Sequence, residues 1–275
     1  MKHQIVVRNG LKIKMTEKYI PTVEEKDTYR ARRDFLSISG DGIFATLQGE
    51  GVTAGHPAVF LRLQDCNLHC GKDGIGWRCD AWYTWDRSTP EFWKERQNNP
   101  PHEVAEEISS AWLEAFGSTE AEPRLVITGG EPLLQQDRIV ELLKLLNGWQ
   151  FEIETNGTIV PLVELQNCQI NCSPKLSSSG NSVRSRYRPE VLHAISNLSN
   201  SWFKFVISSP EDEGEIQTIV RECSILPEKI LLMSEGVSRD TLETRDSLIE
   251  LIASRIGAVA IRRNQIFWFG DRRRT

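Results

Sequence analysis

The segment Leu125-Val-Ile-Thr-Gly-Gly-Glu-Pro132 decides the fold class of this chain. Its apolar and β-branched start predicts a buried strand, which Gly129-Gly130 ends. Apolar residues at helical spacing then predict a helix over Asp137–Leu146, and Asn147-Gly148 closes it. A second strand is predicted directly afterwards, at Phe151–Thr155. Because strands joined by a crossover helix pair side by side, this unit predicts a parallel sheet.

The same alternation continues on both sides of that segment. Further predicted strands are Val59–Leu63, Gln169–Ser173, Trp202–Ser208, Ile230–Met233 and Gln265–Phe269. Further predicted helices are one opened by Pro101, with apolar Val104, Ile108, Trp112 and Ala115, and then Glu190–Leu198, Glu213–Cys223 and Thr241–Ile256. The pattern predicts an α/β fold with a parallel sheet, either open or closed into a barrel, and periodicity alone does not separate a full barrel from a partial one.

Composition and charge exclude several classes of protein. With 275 residues, of which 39% are hydrophobic and 26% charged, the chain is typical of a folded protein rather than a disordered or fibrous one. A net charge of −5 argues against direct binding of nucleic acid. We find no run of about 18 apolar residues that would predict a membrane span. Residues 1–14 lack the apolar stretch of a signal peptide, so a cytoplasmic protein is expected.

The chain divides into an extension and one domain. We expect residues 1–34 to form a charged N-terminal extension and residues 35–275 to form a single domain. An aromatic insertion at about residues 82–100 is expected to pack over the preceding cysteine loop and to limit the access of water. The basic tail Arg272–Arg274 is interpreted as a solvated terminus.

Three cysteines lie in one loop after the strand Val59–Leu63. They are Cys66, Cys70 and Cys79. In a reducing compartment, cysteines indicate thiols or metal ligands before disulfides. Three thiolates would hold an iron–sulfur cluster with one open iron. Zinc, with His69 as a fourth ligand, is the alternative.

The remaining three cysteines are interpreted as core residues. Cys168 and Cys172 fall in or beside a predicted strand, and Cys223 falls in a predicted helix. Nothing near them in the sequence completes a metal site, and free cysteines are commonly buried as small apolar side chains.

Two motifs in order resemble the radical S-adenosylmethionine enzymes. These are Cys66-x3-Cys70 with Cys79, followed after the next strand by Thr128-Gly129-Gly130-Glu131-Pro132. In that superfamily three cysteines bind a [4Fe-4S] cluster, and S-adenosylmethionine chelates the fourth iron. The resemblance therefore implies a partial or modified TIM-like (β/α) barrel of the radical S-adenosylmethionine type, with both cofactors.

Further motifs resemble one family within it, the 7-carboxy-7-deazaguanine synthases. They are Phe44-Ala-Thr-Leu-Gln-Gly-Glu-Gly51, Phe60-x-Arg62-Leu63, Glu154-Thr155-Asn156-Gly157 and Cys172-Ser173-Pro174-Lys175. The resemblance implies a lyase of queuosine and 7-deazapurine biosynthesis. It would convert 6-carboxy-5,6,7,8-tetrahydropterin to 7-carboxy-7-deazaguanine with loss of ammonia, through a radical generated on the cofactor rather than on a catalytic side chain. A flavodoxin-like or other reductant and a homodimer are also implied.

The resemblance assigns roles to individual residues. Cys66, Cys70 and Cys79 would bind the cluster. Contacts to the substrate would come from Leu47, Gln48, Gly49, Glu50, Arg62 and Thr128. Contacts to S-adenosylmethionine would come from Gly130, Glu131, Glu154, Asn156, Ser173, Pro174, Lys175, Ser234 and Glu235. Arg62 would pair with the substrate carboxylate, because a guanidinium matches a carboxylate with two hydrogen bonds.

The sequence departs from the family pattern at three places. The last two cysteines are separated by eight residues rather than two, and the basic tail matches nothing in the family. Ala81 occupies the position of a threonine that would bind Mg²⁺, and a methyl group offers no oxygen ligand. Asp80 or Thr84 would then have to replace it, or the dependence on Mg²⁺ would be lost.

Three other functions compete with this interpretation. One is another radical S-adenosylmethionine enzyme, such as a glycyl-radical activase, although the Leu47–Gly51 motif and Arg62 favour a small carboxylated substrate. A second is a catalytically impaired homologue, suggested by Ala81. The third is a zinc-stabilised binding module without enzymatic activity.

Overall fold

The computed structural model describes residues 5–8, 11–14, 18–30 and 34–275, and gives the backbone alone for the first two ranges. Strands β1 (Ile5–Arg8) and β2 (Leu11–Lys14) pair as an antiparallel hairpin. Helix α1 (Val23–Arg30) follows. The predicted N-terminal extension thus contains secondary structure of its own within the described ranges.

Nine strands form the main sheet of the described chain. They are β3 (Leu36–Leu47), β4 (Pro57–Leu63), β5 (Gln97–Asn99), β6 (Arg124–Gly129), β7 (Gln150–Thr155), β8 (Gln169–Cys172), β9 (Ser201–Ile207), β10 (Ile230–Ser234) and β11 (Val259–Ala260). The strand order is β11-β10-β9-β8-β7-β6-β4-β3-β5, and every pair from β4 to β11 is parallel. β3 runs antiparallel to both β4 and β5. The predicted partial barrel is confirmed, in its open form.

Eight α-helices follow α1 in the described chain, and all but the last lie in connections between parallel strands. They are α2 (Pro90–Lys94), α3 (Pro101–Phe116), α4 (Gln136–Leu143), α5 (Val183–Arg186), α6 (Pro189–Ser196), α7 (Asp212–Glu222), α8 (Arg239–Ile256) and α9 (Asn264–Phe269). In α3, Val104, Ile108 and Trp112 recur at helical spacing and are buried against the sheet, as their spacing predicted.

The prediction of a strand at Gln265–Phe269 is wrong, because this segment forms helix α9. A short apolar run has no clear period, so it fits a strand and a helix equally well. The edge of the sheet is instead taken by Val259–Ala260, which pairs with β10. The segment then turns back, and the Asn264 N–H donates to the Gly49 carbonyl at 3.0 Å.

The long strand β3 was missed by the sequence analysis. Its register to β4 shifts between Ile38 and Ile43, at the two glycines Gly40 and Gly42. Glycine weakens the strand pattern and is typical of such irregularities. This strand carries the Leu47–Gly51 motif to the end of the sheet.

The core consists of the strands and the inner faces of the helices. Leu61, Ile127, Ile153 and Phe205, from four different parallel strands, are completely buried. Cys168, Cys172 and Cys223 lie in the same apolar cluster, which confirms their interpretation as core residues. Within the described ranges, we find no helix both long and apolar enough to cross a membrane.

Leu142 in α4 is fully buried, whereas Leu113 in α3 is 67% exposed. We expect Leu142→Ala to lower the free energy of unfolding by about 2–5 kcal/mol, because it leaves a cavity. The same substitution at Leu113 should change it by no more than about 0.5 kcal/mol. Urea unfolding of the two variants measures both values, and equal effects would contradict the described packing of α4.

Candidate active site

A cavity of about 690 Å³ lies at the carboxyl ends of the parallel strands. This is the end at which parallel α/β folds build their active sites. Most of the residues assigned by resemblance line it, namely Leu47, Gln48, Gly49, Glu50, Arg62, Cys66, Cys70, Cys79, Asp80, Thr128, Gly130, Glu154, Asn156, Ser173, Lys175 and Glu235. Glu131, Pro174, Ser234 and Thr84 do not line it.

The cysteine loop folds back on itself, so its long last gap still brings the thiols together. The Cys79 N–H donates to the Cys70 carbonyl at 3.3 Å. Gly71 makes this return possible, because a Cβ there would lie 2.5 Å from the Arg78 Cα. The eight residues between Cys70 and Cys79 therefore form a loop that closes on itself.

The excursion is anchored to the segment after β8. The Gly71 N–H donates to the Ser179 carbonyl and the Trp77 N–H to the Ser178 carbonyl, both at 3.1 Å. Asn181, next to that segment, donates its side-chain amide to the Cys70 Sγ at 3.2 Å. The loop is thus fixed by a neighbouring strand end as well as by its own turns.

Hydrogen-bond donors surround the thiols. The Leu68 N–H lies 3.4 Å from the Cys66 Sγ, and the Asn156 side-chain amide lies 3.9 Å from the same atom. Burial raises the pKa of Cys66 and Cys70, and raises that of Cys79 to about 12. Such thiols ionise when a cationic centre binds them, and N–H groups aimed at sulfur stabilise that bound state.

The donor arrangement fits a cluster better than a single zinc ion. Within the described residues, no group of three or more His, Cys, Asp or Glu side chains is close enough to hold one metal ion. Ligands of one Zn²⁺ all lie about 2.0–2.3 Å from it. In a [4Fe-4S] cluster each thiolate binds a different iron, so three thiols and one open iron suffice. His69, the fourth ligand of the zinc alternative, stacks on Trp85 instead.

The glycine motif after β6 packs directly against the cysteine loop. A Cβ at Gly130 would lie 2.0 Å from the Asp65 carbonyl oxygen and 3.0 Å from the Cys66 Cβ. Only glycine permits this close approach. The Gly130 N–H donates to the Leu63 carbonyl at 3.1 Å, and the Glu131 N–H to the Asp65 carbonyl at 2.8 Å.

Glu131 joins two strand ends rather than facing the cavity. Its carboxylate is fully buried and accepts from the Leu133 N–H, the Thr155 hydroxyl and the Asn156 N–H at 2.7–3.0 Å. Burial raises the pKa of Glu131 despite these donors. Glu131 therefore holds Asn156 in place beside Cys66.

Five side chains of alternating charge form a second structure in the site. We call this row the charge chain, and it consists of Asp80, Arg263, Glu50, Lys204 and Glu154. Arg263 lies 2.5 Å from Asp80 and 3.1 Å from Glu50. Lys204 lies 2.6 Å from Glu50 and 2.9 Å from Glu154. Each of the three inner members thus has an opposite charge on both sides.

Neither cation of the charge chain was predicted from the sequence. Lys204 stands alone among apolar residues in β9, and a single lysine in such a strand could have been recognised as an inward-facing charge. Arg263 lies before the segment that was misassigned as a strand, and no local signal marks it.

Arg62 belongs to a second group, centred on the buried carboxylate of Asp41. The Arg62 Nε lies 2.9 Å from an Asp41 oxygen, and the Tyr83 hydroxyl donates to the same oxygen. From the tail, the Arg273 Nε donates to the other oxygen at 2.5 Å. Arg274 donates to the Asp41 carbonyl at 2.8 Å. Arg272–Arg274 are exposed, as a solvated terminus predicts, but all three also line the cavity, and Arg273 and Arg274 are hydrogen-bonded to Asp41.

Comparison with curated proteins identifies relatives that span most of the chain. A 7-carboxy-7-deazaguanine synthase from Rhodopirellula baltica is 30% identical over 261 residues, which cover 90% of this chain and 91% of that protein. One from Pyrobaculum aerophilum is 35% identical over 70% of this chain and 76% of its own length. One from Halobacterium salinarum is 30% identical over 80% and 89%, respectively. The chain belongs to the 7-carboxy-7-deazaguanine synthase family.

Two further comparisons complete this result. The crystal structure of QueE from Escherichia coli aligns with a TM-score of 0.57 at 23% identity, and covers 88% of this chain and 99% of that one. It supports the fold. No family model matches the chain.

The residues around Ala81 are held by local contacts. Thr84 is completely buried, and its hydroxyl donates to the Ala81 carbonyl at 2.7 Å. Asp80 is paired with Arg263. The two side chains considered as replacements for the missing threonine therefore differ, because only Asp80 reaches the cavity.

The contact at Gly130 can be tested by Gly130→Ala. We expect overpacking against the Asp65 backbone to lower stability by about 1–3 kcal/mol and to loosen the cysteine loop. Tryptic cleavage after Lys72 or Arg78, both in that loop, should become faster than in the unmodified protein. Gly214→Ala is the control, because a Cβ there meets nothing within 4 Å. Equal resistance of Gly130→Ala and the unmodified protein would contradict the assigned contact.

The charge chain predicts a pH dependence of stability. Burial alone would raise the pKa of Glu50, but Lys204 and Arg263 hold it below its ordinary value. Its stabilising effect is therefore present above about pH 4.3, the unfolded pKa, and is lost as the pH falls through the lower folded pKa. We expect Glu50→Gln to lower the Tm by about 5–10 °C at pH 7.

The same Tm difference should shrink as the pH is lowered below about 4. Glu107→Gln, on an exposed face of α3, is the matched control and should leave the Tm unchanged at both pH values. A Tm difference between Glu50→Gln and the unmodified protein that stays constant from pH 7 to pH 3 would show that Glu50 is not held ionised by its partners.

Proposed function

We propose that this chain converts 6-carboxy-5,6,7,8-tetrahydropterin to 7-carboxy-7-deazaguanine and ammonia. One observation carries the proposal. A single cavity is lined by the three thiols of the cysteine loop, the glycine end of β6, the Leu47–Glu50 motif and Arg62. Metal-binding thiols and polar groups for an anionic heterocycle thus line the same space.

Cys66, Cys70 and Cys79 would hold the [4Fe-4S] cluster. Their sulfurs lie in one cavity wall with N–H donors from Leu68 and Asn181 aimed at two of them. When bound, the cluster and S-adenosylmethionine would supply the one-electron chemistry that removes a hydrogen atom from the pterin.

Backbone and side chains at the strand ends would bind S-adenosylmethionine. Gly130 leaves space beside Cys66, and Ser173 and Lys175 follow β8 on the same wall. Lys175 donates to both oxygens of Ser173 at 2.8–2.9 Å, which fixes its ammonium near the thiols. An ammonium in this position would attract the carboxylate of a bound amino acid moiety.

The part of the cavity formed by the Leu47–Glu50 motif and Arg62 would bind and orient the pterin. Gln48 is held by its own hydrogen bond to Glu152 at 3.2 Å, so its backbone and remaining amide groups keep one orientation. The Arg62 Nε lies 2.9 Å from Asp41, and among the described residues we find no ion pair that uses its Nη atoms. Those two nitrogens are therefore available to a substrate carboxylate, as its fork geometry favours.

The charge of the cavity suits an anionic substrate. Among the described residues, eight lysines and arginines and six aspartates and glutamates line it, although the whole chain has a net charge of −5. A cationic interior in an anionic protein attracts and retains a carboxylate.

The residues present do not fit a Mg²⁺ ion. Ala81 has no oxygen in its side chain, the Thr84 hydroxyl is buried away from the cavity, and Asp80 already faces the Arg263 guanidinium. Mg²⁺ requires several oxygen ligands in octahedral geometry. The function proposed here therefore contains no step through Mg²⁺.

The proposal also includes an external reductant and a second copy of the chain. A flavodoxin-like or other one-electron reductant would reduce the cluster, and the chain would act as a homodimer. Light scattering of the purified protein tests the dimer, and replacement of dithionite by reduced flavodoxin tests the reductant.

An anaerobic incubation tests the function. Reconstituted protein is mixed with dithionite, S-adenosylmethionine and 6-carboxytetrahydropterin, and mass spectrometry follows 5′-deoxyadenosine and 7-carboxy-7-deazaguanine. Formation of both supports the proposal. 5′-Deoxyadenosine without the deazaguanine would overturn the substrate and retain the radical chemistry. Neither product, with an intact and reducible cluster, would overturn the function and favour an impaired homologue.

The cluster ligands can be tested without turnover. We expect Cys66→Ser, Cys70→Ser and Cys79→Ser each to lose most bound iron and sulfide after anaerobic reconstitution, because each removes one of three protein ligands. Cys168→Ser is the matched control, since Cys168 is buried in the core away from the cavity. Wild-type protein that binds zinc but no iron would favour the zinc-stabilised module instead.

A further inference from the structure

A guanidinium occupies the wall of the cavity beside Ala81. Arg263 lies between β11 and α9, and its side chain is only 12% exposed. Its Nη2 lies 2.5 Å from an oxygen of Asp80, the residue that precedes Ala81. A fixed positive charge is thus built into the place where the family pattern would put an oxygen ligand for a metal ion.

Arg263 is rigidly held and still has donors to offer. Its Nε donates to Glu50 at 3.1 Å, its Nη1 to the Gly236 carbonyl at 2.7 Å, and its Nη2 to Asp80. A guanidinium has five N–H donors in one plane. Two of them therefore have no acceptor in the described part of the chain, and the residue lines the cavity.

Arg263 and Asp80 form one corner of the cavity, and Arg62 lines the same cavity. Arg62 is held by Asp41 at 2.9 Å, whereas Arg263 is shared by Asp80 and Glu50. A ligand carboxylate placed at this corner would accept from the remaining N–H donors of Arg263, and such charge-assisted hydrogen bonds are stronger than neutral ones.

A divalent ion would bind poorly at this corner. It would be repelled by Arg62 and Arg263, and it would find Asp80 already neutralised by an ion pair. Ala81 therefore offers no ligand to a metal ion, and the Arg263 guanidinium supplies a positive charge at the same place.

We propose that Arg263, rather than Mg²⁺, supplies the positive charge that holds the substrate carboxylate at the Asp80–Ala81 wall. Arg263 is then a substrate-binding residue that works together with Arg62. The inference rests on the proposed function, and it deepens that function by stating that this chain turns over its carboxylated pterin without a divalent ion.

The first arm of the test compares turnover with and without Mg²⁺. The intact, reconstituted protein is passed over a chelating resin, its cluster content is checked by absorbance, and formation of 7-carboxy-7-deazaguanine is followed in metal-free buffer and with added MgCl₂. We expect equal rates. A rate that appears only with MgCl₂ would overturn the inference and leave the proposed function standing.

The second arm measures binding instead of activity. Calorimetry compares the affinity of the protein for 7-carboxy-7-deazaguanine and for 7-deazaguanine, which lacks the carboxylate, in metal-free buffer. We expect the carboxylate to strengthen binding by at least about tenfold, and Arg263→Gln to abolish that preference. Arg263→Lys keeps the charge and should restore part of it, which a purely structural role would not do.

Arg262→Gln is the matched control. Arg262 is the preceding residue, but it is 56% exposed and pairs with Asp246 outside the cavity. This variant should keep the full preference. An Arg263→Gln protein that retains the preference would overturn the inference, and so would a wild-type protein that shows none. If wild-type protein with an intact cluster forms no deazaguanine in either buffer, the proposed function fails and the inference fails with it.

Discussion

The backbone contact between the end of β6 and the turn after β4 is the constraint on which the rest of the site depends. Two N–H groups of the glycine motif donate to carbonyls beside the cysteine loop, and the space between the chains admits no Cβ at Gly130. The same turn continues into Glu131, whose buried carboxylate holds the end of β7. Three strand ends are therefore locked at fixed distances. The cysteine loop takes its position from this backbone and from the segment after β8, to which its eight-residue excursion is hydrogen-bonded.

The part of the site formed by the charge chain and Arg62 is held together by ion pairs rather than by backbone hydrogen bonds. Burying a single charge is costly in free energy. Each inner member of the charge chain lies between two opposite charges, and their attraction offsets the cost of its desolvation. Asp41 has the same function for Arg62, since it also binds Tyr83 and Arg273. The tail and the strand β4 are thus tied to one carboxylate. This arrangement gives the cavity fixed cations without free side chains that would have to be ordered when a ligand binds.

Much of this could be predicted from the sequence, and the failures have physical causes. Strand–helix alternation predicted the parallel sheet, and the motifs after each strand led to residues that line one cavity. The run Gln265–Phe269 was misassigned because a short apolar segment carries no period. Glu131 and Thr84 were expected to face ligands, yet both are turned inward by hydrogen bonds to nearby backbone. Lys204 and Arg263 were not found, because their partner Glu50 lies 154 and 213 residues away in the chain.

The sequence by itself determined that the sheet is mainly parallel, which loops carry the chemistry, and the family of the chain. These properties depend on local periodicity and on short motifs, which a linear pattern records. Only the tertiary structure decided which charges meet. Arg263 reaches Asp80, and Arg273 reaches Asp41, because the C-terminal segment returns across the open end of the sheet. Contacts between residues so far apart are set by the curvature and order of the whole sheet, and no local signal encodes them.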